Sequence, residues 1–167
     1  MKDSKIIAMQ KMLDAKEKRY YKIKALTEKY NLPVLSFMLN IPGEDKNAVI
    51  FHEKLIKKIK NILEKEDIKI LWEEYNNLNT GMEYLAVLNG EGKFIKEKMI
   101  GLEEESREGR LLDIDIYDRD FSQISRSSLG LSERKCIICD DIARTCIKKE
   151  RHSLKELEKK VREILKN

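Results

Sequence analysis

Two stretches of this chain carry residues whose types and spacing can do chemistry. In Gly109-Arg110-Leu111-Leu112-Asp113-Ile114-Asp115-Ile116-Tyr117-Asp118, aliphatic and acidic residues alternate strictly from Leu112 to Ile116. That is the two-residue period of a half-buried strand. Leu112, Ile114 and Ile116 then face a core, and Asp113 and Asp115 share the opposite face with Cα atoms about 6.5 Å apart. Aspartate is a poor strand former, so two of them at i and i+2 ask for a reason. One reason is a hard-cation site, in which two carboxylates hold Mg²⁺ and leave coordination positions for a phosphate. The other is a polar strand face that meets water.

The second stretch is Cys136-x2-Cys139-x6-Cys146-x5-His152. Three thiolates and one imidazole make a complete tetrahedral set for Zn²⁺. The spacing matches no common zinc-finger pattern, and reduced cysteines also serve as small buried residues, so both readings stand. Three cysteines, an odd number within eleven residues, are not a secreted disulfide framework.

Both stretches need elements to position them. Ser4 to Tyr30 reads as one long helix, with Ile6, Met9, Leu13, Tyr20, Ile23 and Tyr30 on a stripe expected to pack on the core. Asn31 and Pro33 end it. Val34–Leu39 reads as a buried strand, and Asn40-Ile41-Pro42-Gly43 as a turn that is either structural or offers backbone N–H groups to a phosphate. Ala48 to Glu64 returns to helical spacing, with His52 expected to be structural or surface-exposed rather than a ligand. Ile68–Trp72 reads as a strand continuing toward Tyr75, with Trp72 in the core. Residues 76–81 read as a polar loop. Met82–Leu88 and Phe94–Leu102 read as two strands joined by an Asn89-Gly90-Glu91-Gly92 hairpin turn. Leu112–Ile116 follows as another strand. Ser153 to Leu165 closes the chain as a helix with a capping box from Ser153 to Glu156. The fold class expected is α+β: a mixed, largely antiparallel sheet of about five strands, a long N-terminal helix, one helix between the first two strands and a C-terminal helix.

Length and composition set the frame. A chain of 167 residues forms a single domain over 1–167 with a real core, the Cys/His segment from about 125 to 167 being a subregion. Hydrophobic residues make up 41% and charged residues 38%, as in a water-soluble protein with a heavily charged surface. There is no apolar run of membrane-spanning length and no signal sequence in Met1-Lys2-Asp3-Ser4, which points to the cytoplasm. The net charge of +4 comes from 34 basic and 30 acidic residues, too balanced to argue for nucleic acid without a clustered patch.

Taken together, several segments resemble the holo-citrate lyase synthase family, the apo-citrate lyase phosphoribosyl-dephospho-CoA transferases. They are Asn40-Ile41-Pro42-Gly43, Thr80-Gly81-Met82-Glu83, Gly109 to Asp115, Ser125-Arg126, Leu129-Gly130-Leu131, Arg134 to Cys139 with Cys146, and Arg151-His152-Ser153. They occur in the family's order across nearly the whole chain. Departures are Glu108 where the family tends to have Leu, Ser132-Glu133 where it tends to have Pro-Pro, and Lys16 where it tends to have Arg. Glu108 adds negative charge beside the expected phosphate site.

The resemblance implies an enzyme that moves phosphoribosyl-dephospho-CoA from 2′-(5″-triphosphoribosyl)-3′-dephospho-CoA to a serine of the citrate lyase acyl carrier (gamma) subunit. Pyrophosphate leaves. Such chemistry needs phosphate charge neutralised and the serine held in line. On chemical grounds Asp113 and Asp115 are then assigned to Mg²⁺ and catalysis, and Arg110, Arg126 and Arg134 to substrate phosphates. Two other readings compete. One is a zinc-stabilised nucleic-acid-binding module using Lys148, Lys149 and Arg151. The other is a noncatalytic citrate lyase assembly factor.

Overall fold

The computed structural model describes residues 2–42 and 48–166. Helix α1 (Lys2–Tyr30) leads into strand β1 (Val34–Leu39), then helix α2 (Val49–Lys65) and the hairpin of β2 (Lys69–Leu78) and β3 (Gly81–Asn89). Helix α3 (Gly92–Glu105) and a 3₁₀ turn at Glu108–Leu111 precede strand β4 (Leu112–Tyr117). A second 3₁₀ turn at Ser127–Leu129, helix α4 (Ala143–Lys148) and helix α5 (Leu154–Leu165) complete the chain. Residue 43 of the expected Asn40–Gly43 turn lies outside the described residues.

The strands form one four-stranded sheet in the order β2-β3-β1-β4, and every pairing is antiparallel. One face carries the main core. Leu35, Phe37, Tyr84, Ala86, Leu88, Leu112, Ile114 and Ile116 pack there against Leu55, Ile56, Ile59 and Leu63 of α2 and Ile95, Met99 and Leu102 of α3. The other face packs Val34, Leu85 and Val87 on Ile23 and Leu26 of α1. The β4 expectation holds: Leu112, Ile114 and Ile116 are fully buried, while Asp113, Asp115 and Tyr117 point to the face that α1 only partly covers.

Three expectations needed correction. The run Phe94–Leu102 is not a strand but lies inside α3, so the sheet has four strands rather than about five. The Glu91 side chain accepts hydrogen bonds from the amides of Lys93 (3.2 Å) and Phe94 (2.7 Å), capping a helix where a hairpin turn was expected. Ile95, Met99 and Leu102 then recur at i, i+4 and i+7, a helical period. The true hairpin turn lies at Asn79-Thr80, so residues 76–78 of the expected 76–81 loop belong to β2 and Gly81 to β3. Side chains on an edge strand contact solvent on one side, and β2's polar Asn76 and Asn77 read as loop for that reason.

The third correction concerns α1. Ile6, Met9, Leu13 and Tyr20 are 50–61% exposed, whereas Ile23, Leu26 and Thr27 are buried. A helix of 29 residues runs about 44 Å, and strands of six to ten residues span about 20–33 Å. The helix overhangs its sheet, and only its last turns meet the core. Trp72 is half-buried in that smaller cluster with the Lys22 ammonium 5.2 Å from its ring. His52 is structural, as expected, and is fully buried, stacked on Phe37 with ring centroids 4.5 Å apart.

Candidate functional site

Antiparallel register puts residues of neighbouring strands in rows on one face of the sheet. Asn76, Glu83, Met38 and Asp113 form one row, and Glu74, Leu85, Ser36 and Asp115 the next. Four carboxylates therefore share the face that α1 crosses. Arg19 of α1 ion-pairs with the buried Glu83, and Lys22 pairs with Glu74 at 2.9 Å. Helix α1 thus neutralises the acids on β2 and β3 but not the aspartates on β4.

The Asp pair is served from elsewhere, and incompletely. Arg134 approaches Asp113 at 3.6 Å, and the Gln123 amide donates to Asp115 at 2.7 Å. Burial, and then the neighbouring Asp113 charge, push the Asp115 carboxyl above its ordinary value. Two carboxylates whose negative charge is not fully answered, set on a rigid strand, are a donor set suited to a hard divalent cation.

Strand β4 lies at the sheet edge, where unpaired backbone groups need covering. Helix α3 supplies the cover with two side chains. The Lys96 ammonium donates to the Ile114 carbonyl, and the Ile114 amide donates to the Glu103 carboxylate at 3.4 Å. Lys96 and Glu103, seven residues apart on one helical face, are 5% and 3% exposed. Burial holds the Lys96 ammonium below its ordinary pKa, opposed by the charges of Glu103 and Asp115.

Glu103 then organises the arginines. Arg126 donates to Glu103 and to Glu104, each at 2.6 Å, and Arg134 donates to Glu103 at 3.0 Å. The three cationic groups Lys96, Arg126 and Arg134 face the carboxylates of Glu103, Glu104, Asp113 and Asp115, leaving the cluster net negative. A phosphate would be repelled from it unless a further cation joined the aspartates.

Arg110 is placed differently. Its guanidinium donates to the Cys136 carbonyl at 2.6 Å and to Asp140 at 3.2 Å, so it buttresses the cysteine segment. The preceding Gly109 has a strict reason to be glycine: any Cβ there would collide with the backbone carbonyl oxygens of Leu102 and Glu103. Glu108 is not free to repel a phosphate, because Lys54 and Lys58 of α2 meet it at 3.2 and 3.9 Å.

Three hollows open on these residues, and one of about 320 Å³ is lined by Glu103, Arg110, Arg126 and Arg134 together. A cleft of about 360 Å³ is lined by Lys96, Asp115, Gln123, Arg126, Arg134 and Arg144. A larger one of about 530 Å³ has an apolar wall of Ile137, Ile147, Leu154 and Leu157, and Arg110, Arg134 and Lys135 at its polar side. Arg134 lines all three.

The cysteine segment does come together. The ligand atoms of Cys136, Cys139, Cys146 and His152 all lie within 4.8 Å of one another. Cys139 Sγ is 3.5 Å from Cys146 Sγ and 3.3 Å from His152 Nε2. The Asp141 amide and His152 pull the Cys139 thiol down to about 6, while burial pushes the Cys146 thiol up to about 11.

The structure thus brings Asp115, Arg126 and Arg134 to one cleft and Arg110, Arg126 and Arg134 to another, with Asp113 at 3.6 Å from Arg134. Lys96, Glu103 and Gln123 escaped the sequence reading. The signal for the first two was present in the seven-residue spacing of Lys96 and Glu103 beside an apolar helical stripe, but it is visible only once α3 is read as a helix. Gln123 left no signal, because a loop brings it to β4 through an isolated bridge with Tyr117.

Comparison with known proteins completes the picture. A family model described as apo-citrate lyase phosphoribosyl-dephospho-CoA transferase matches residues 7–167. A probable apo-citrate lyase phosphoribosyl-dephospho-CoA transferase of Streptococcus pyogenes serotype M1 is 34% identical over 166 residues, covering 95% of this chain and 85% of that one. A protein with the same description from Vibrio cholerae serotype O1 is 28% identical over 162 residues, covering 95% and 91%. Protein CitXG of Leuconostoc mesenteroides subsp. cremoris is 34% identical over 164 residues, covering 95% of this chain but 35% of its own length. The chain therefore spans about a third of that longer relative.

Proposed function

The chain belongs to the apo-citrate lyase phosphoribosyl-dephospho-CoA transferase family, and on that premise we propose that it attaches the phosphoribosyl-dephospho-CoA group to a serine of the citrate lyase acyl carrier subunit. The donor is 2′-(5″-triphosphoribosyl)-3′-dephospho-CoA. The serine oxygen bonds to the phosphorus nearest the ribose, the bridging P–O bond breaks, pyrophosphate departs, and the serine proton passes to a base. The observation that carries this reading is the under-neutralised Asp113–Asp115 pair, with Asp115 lining a cleft that also holds Arg126 and Arg134, and Arg134 at 3.6 Å from Asp113.

Asp113 and Asp115 would hold Mg²⁺, which when bound supplies charge neutralisation for the phosphates and the leaving pyrophosphate. Gln123 fixes the Asp115 carboxylate, and the buried Lys96–Glu103 pair locks the strand that carries both aspartates. Arg134 and Arg126 present guanidinium forks toward the cleft, suited to paired hydrogen bonds with phosphate oxygens. Because Arg134 lines all three hollows, it ties the triphosphate in the cleft at Asp115 to a nucleotide body in the larger, partly apolar one. Arg110 supports that wall and, in the hollow it shares with Arg126 and Arg134, would also meet phosphate oxygens.

The two rival readings find no support. The relatives are named as transferases along most of this chain, and the matched regions include the whole sheet. Among the described residues, no helix is long and apolar enough to cross a membrane.

The test is intact mass spectrometry of the apo carrier subunit after incubation with this protein, Mg²⁺ and the triphosphoribosyl donor. One added prosthetic group, requiring every component, is the expected result. An unmodified carrier in the complete mixture overturns the proposal.

A further inference from the structure

Ser125 to Ser153 is an unusual length of chain to be ordered. It contains a three-residue 3₁₀ turn, a six-residue helix and one isolated bridge between Lys135 and Ile142. Ordering a residue costs about 1–2 kcal/mol of backbone entropy, which is ordinarily repaid by apolar burial. Here the apolar side chains provide little of it: Leu131, Ile142 and Ile147 are 42–76% exposed, and Leu129 and Ile137 are only partly buried against neighbouring clusters. Among the described residues of this stretch, the buried ones are Cys136 and Cys146. The thiols are what this segment folds around.

We propose that Cys136, Cys139, Cys146 and His152 bind a structural zinc ion that orders residues 134–154 and with them one wall of the larger hollow. The side chains come from three places, the turn at 136–139, helix α4, and the loop before α5, yet their ligand atoms lie within 4.8 Å of one another. Tetrahedral zinc with Zn–S bonds near 2.3 Å places its ligand atoms about 3.8 Å apart. The 3.5 and 3.3 Å separations around Cys139 sit close to that figure. Three thiolates and an imidazole are a soft, tetrahedral set, which selects zinc over the hard cation suited to the aspartates.

The surrounding backbone is arranged as such a centre requires. The Cys136 amide donates to the Asp141 carbonyl at 2.7 Å, and the Arg151 amide to the Cys146 carbonyl at 3.0 Å, closing both ligand loops. Arg110 grips the Cys136 carbonyl, and the Ala143 amide donates to the Arg134 carbonyl at 2.9 Å. Binding replaces the thiol protons with the metal, giving a centre of one net negative charge beside the Arg151 guanidinium. Arg151 is itself ion-paired with Asp141 of the same loop. Through the Ala143–Arg134 bond the centre sets the backbone of an arginine that lines all three hollows. Zinc binding does not depend on the transfer reaction, so either can fail without the other.

The experiment is elemental analysis of tag-free protein purified without added metal, together with cobalt substitution. About one equivalent of zinc per chain is expected, and the Co²⁺ protein should show tetrahedral d–d bands with thiolate-to-cobalt charge transfer. His152→Asn, which keeps all three thiols, should release zinc to a mild chelator at least tenfold faster than the parent chain. Hydrogen exchange after chelation should rise over 134–154 while β1, β3 and β4 stay protected. Folded protein without metal and with three freely titrating thiols overturns the proposal, as does a Cys139–Cys146 disulfide in protein trapped at lysis. A cobalt spectrum lacking the charge-transfer bands overturns it independently of any variant's folding.

Discussion

The sheet with α2 and α3 and the segment between Ser125 and Ser153 are held by different physics. In the first, apolar side chains from three strands and two helices interlock, Lys96 and Glu103 are tied to the edge of β4, and His52 enters stacked on Phe37. In the second, burial falls on two cysteines, and order comes from backbone turns, ion pairs and the thiol–imidazole cluster. The aspartates proposed for catalysis stand on the first region and Arg134 on the second, so the proposed site is built across the seam. Chemistry, stability and metal content should therefore respond separately to mutation, and each region should tolerate what breaks the other.

The largest effect should separate chemistry from stability within one strand. Asp113→Asn or Asp115→Asn keeps shape but removes a charge, and transfer to the carrier is expected to fall by at least about 100-fold at saturating Mg²⁺, roughly 2.7 kcal/mol or more. The melting temperature should hold or rise, since two carboxylates that repel each other are relieved. Near-normal transfer by both variants would make the acidic face a solvated one and move the site elsewhere.

Isoleucine truncations in the two regions should differ just as sharply. Ile114→Ala removes a fully buried side chain from the main core and should cost about 2–5 kcal/mol. Ile147→Ala, at a side chain 76% exposed on α4, should stay within about 0.5 kcal/mol. Equal losses in urea unfolding would show that the two regions share one core after all.

Acid should also find the sheet first. Burial holds His52 down at about 4, against an ordinary value of 6.5, with only weak opposition from the Phe37 backbone. Neither ring nitrogen has a partner of good hydrogen-bond geometry. A group whose folded pKa is depressed binds its proton more readily when unfolded. Its contribution is therefore intact above pH 6.5 and is lost as pH falls toward 4, a total on the order of 3 kcal/mol. His52→Leu should flatten stability across that window. If the variant keeps the parent's slope between pH 6.5 and 4, another group drives acid unfolding.

The two regions were also unequally legible. Period alone identified β1, β4, α2 and α5 and put Leu112, Ile114 and Ile116 inside, because alternation and the 3.6-residue stripe are direct images of burial. It failed at Phe94–Leu102, where a helix buried along one face and a strand buried on both sides leave similar apolar runs. It failed again on α1, whose stripe continues past the end of the sheet that would cover it. For the site, residue chemistry pointed to Asp113, Asp115, Arg110, Arg126 and Arg134. It could not show that Arg110 faces Cys136, or that Lys96 and Glu103 close the β4 edge, because those contacts depend on how α3 and the cysteine loop dock.

The smallest effect asks whether helix α3 starts where its cap says it does, and compares one chemical change in both regions. Glu91 accepts from the amides of Lys93 and Phe94, and Ser153 accepts from the Glu156 amide while Glu156 reaches back to Ser153. Replacing either cap by alanine should cost its own helix about 1 kcal/mol. The consequences should diverge. Helix α3 carries Ile95, Met99 and Leu102 into the main core and Lys96 and Glu103 onto β4, so Glu91→Ala should lower the global unfolding free energy by nearly that full amount. Helix α5 meets a small satellite cluster with Val161 and Ile164 against Ile41 and Leu111. Ser153→Ala should therefore appear as faster hydrogen exchange in the first turn of α5, with little change in the protection of β1 and β3. Were Phe94–Leu102 a strand after all, Glu91→Ala would leave stability unchanged, because a hairpin residue caps nothing.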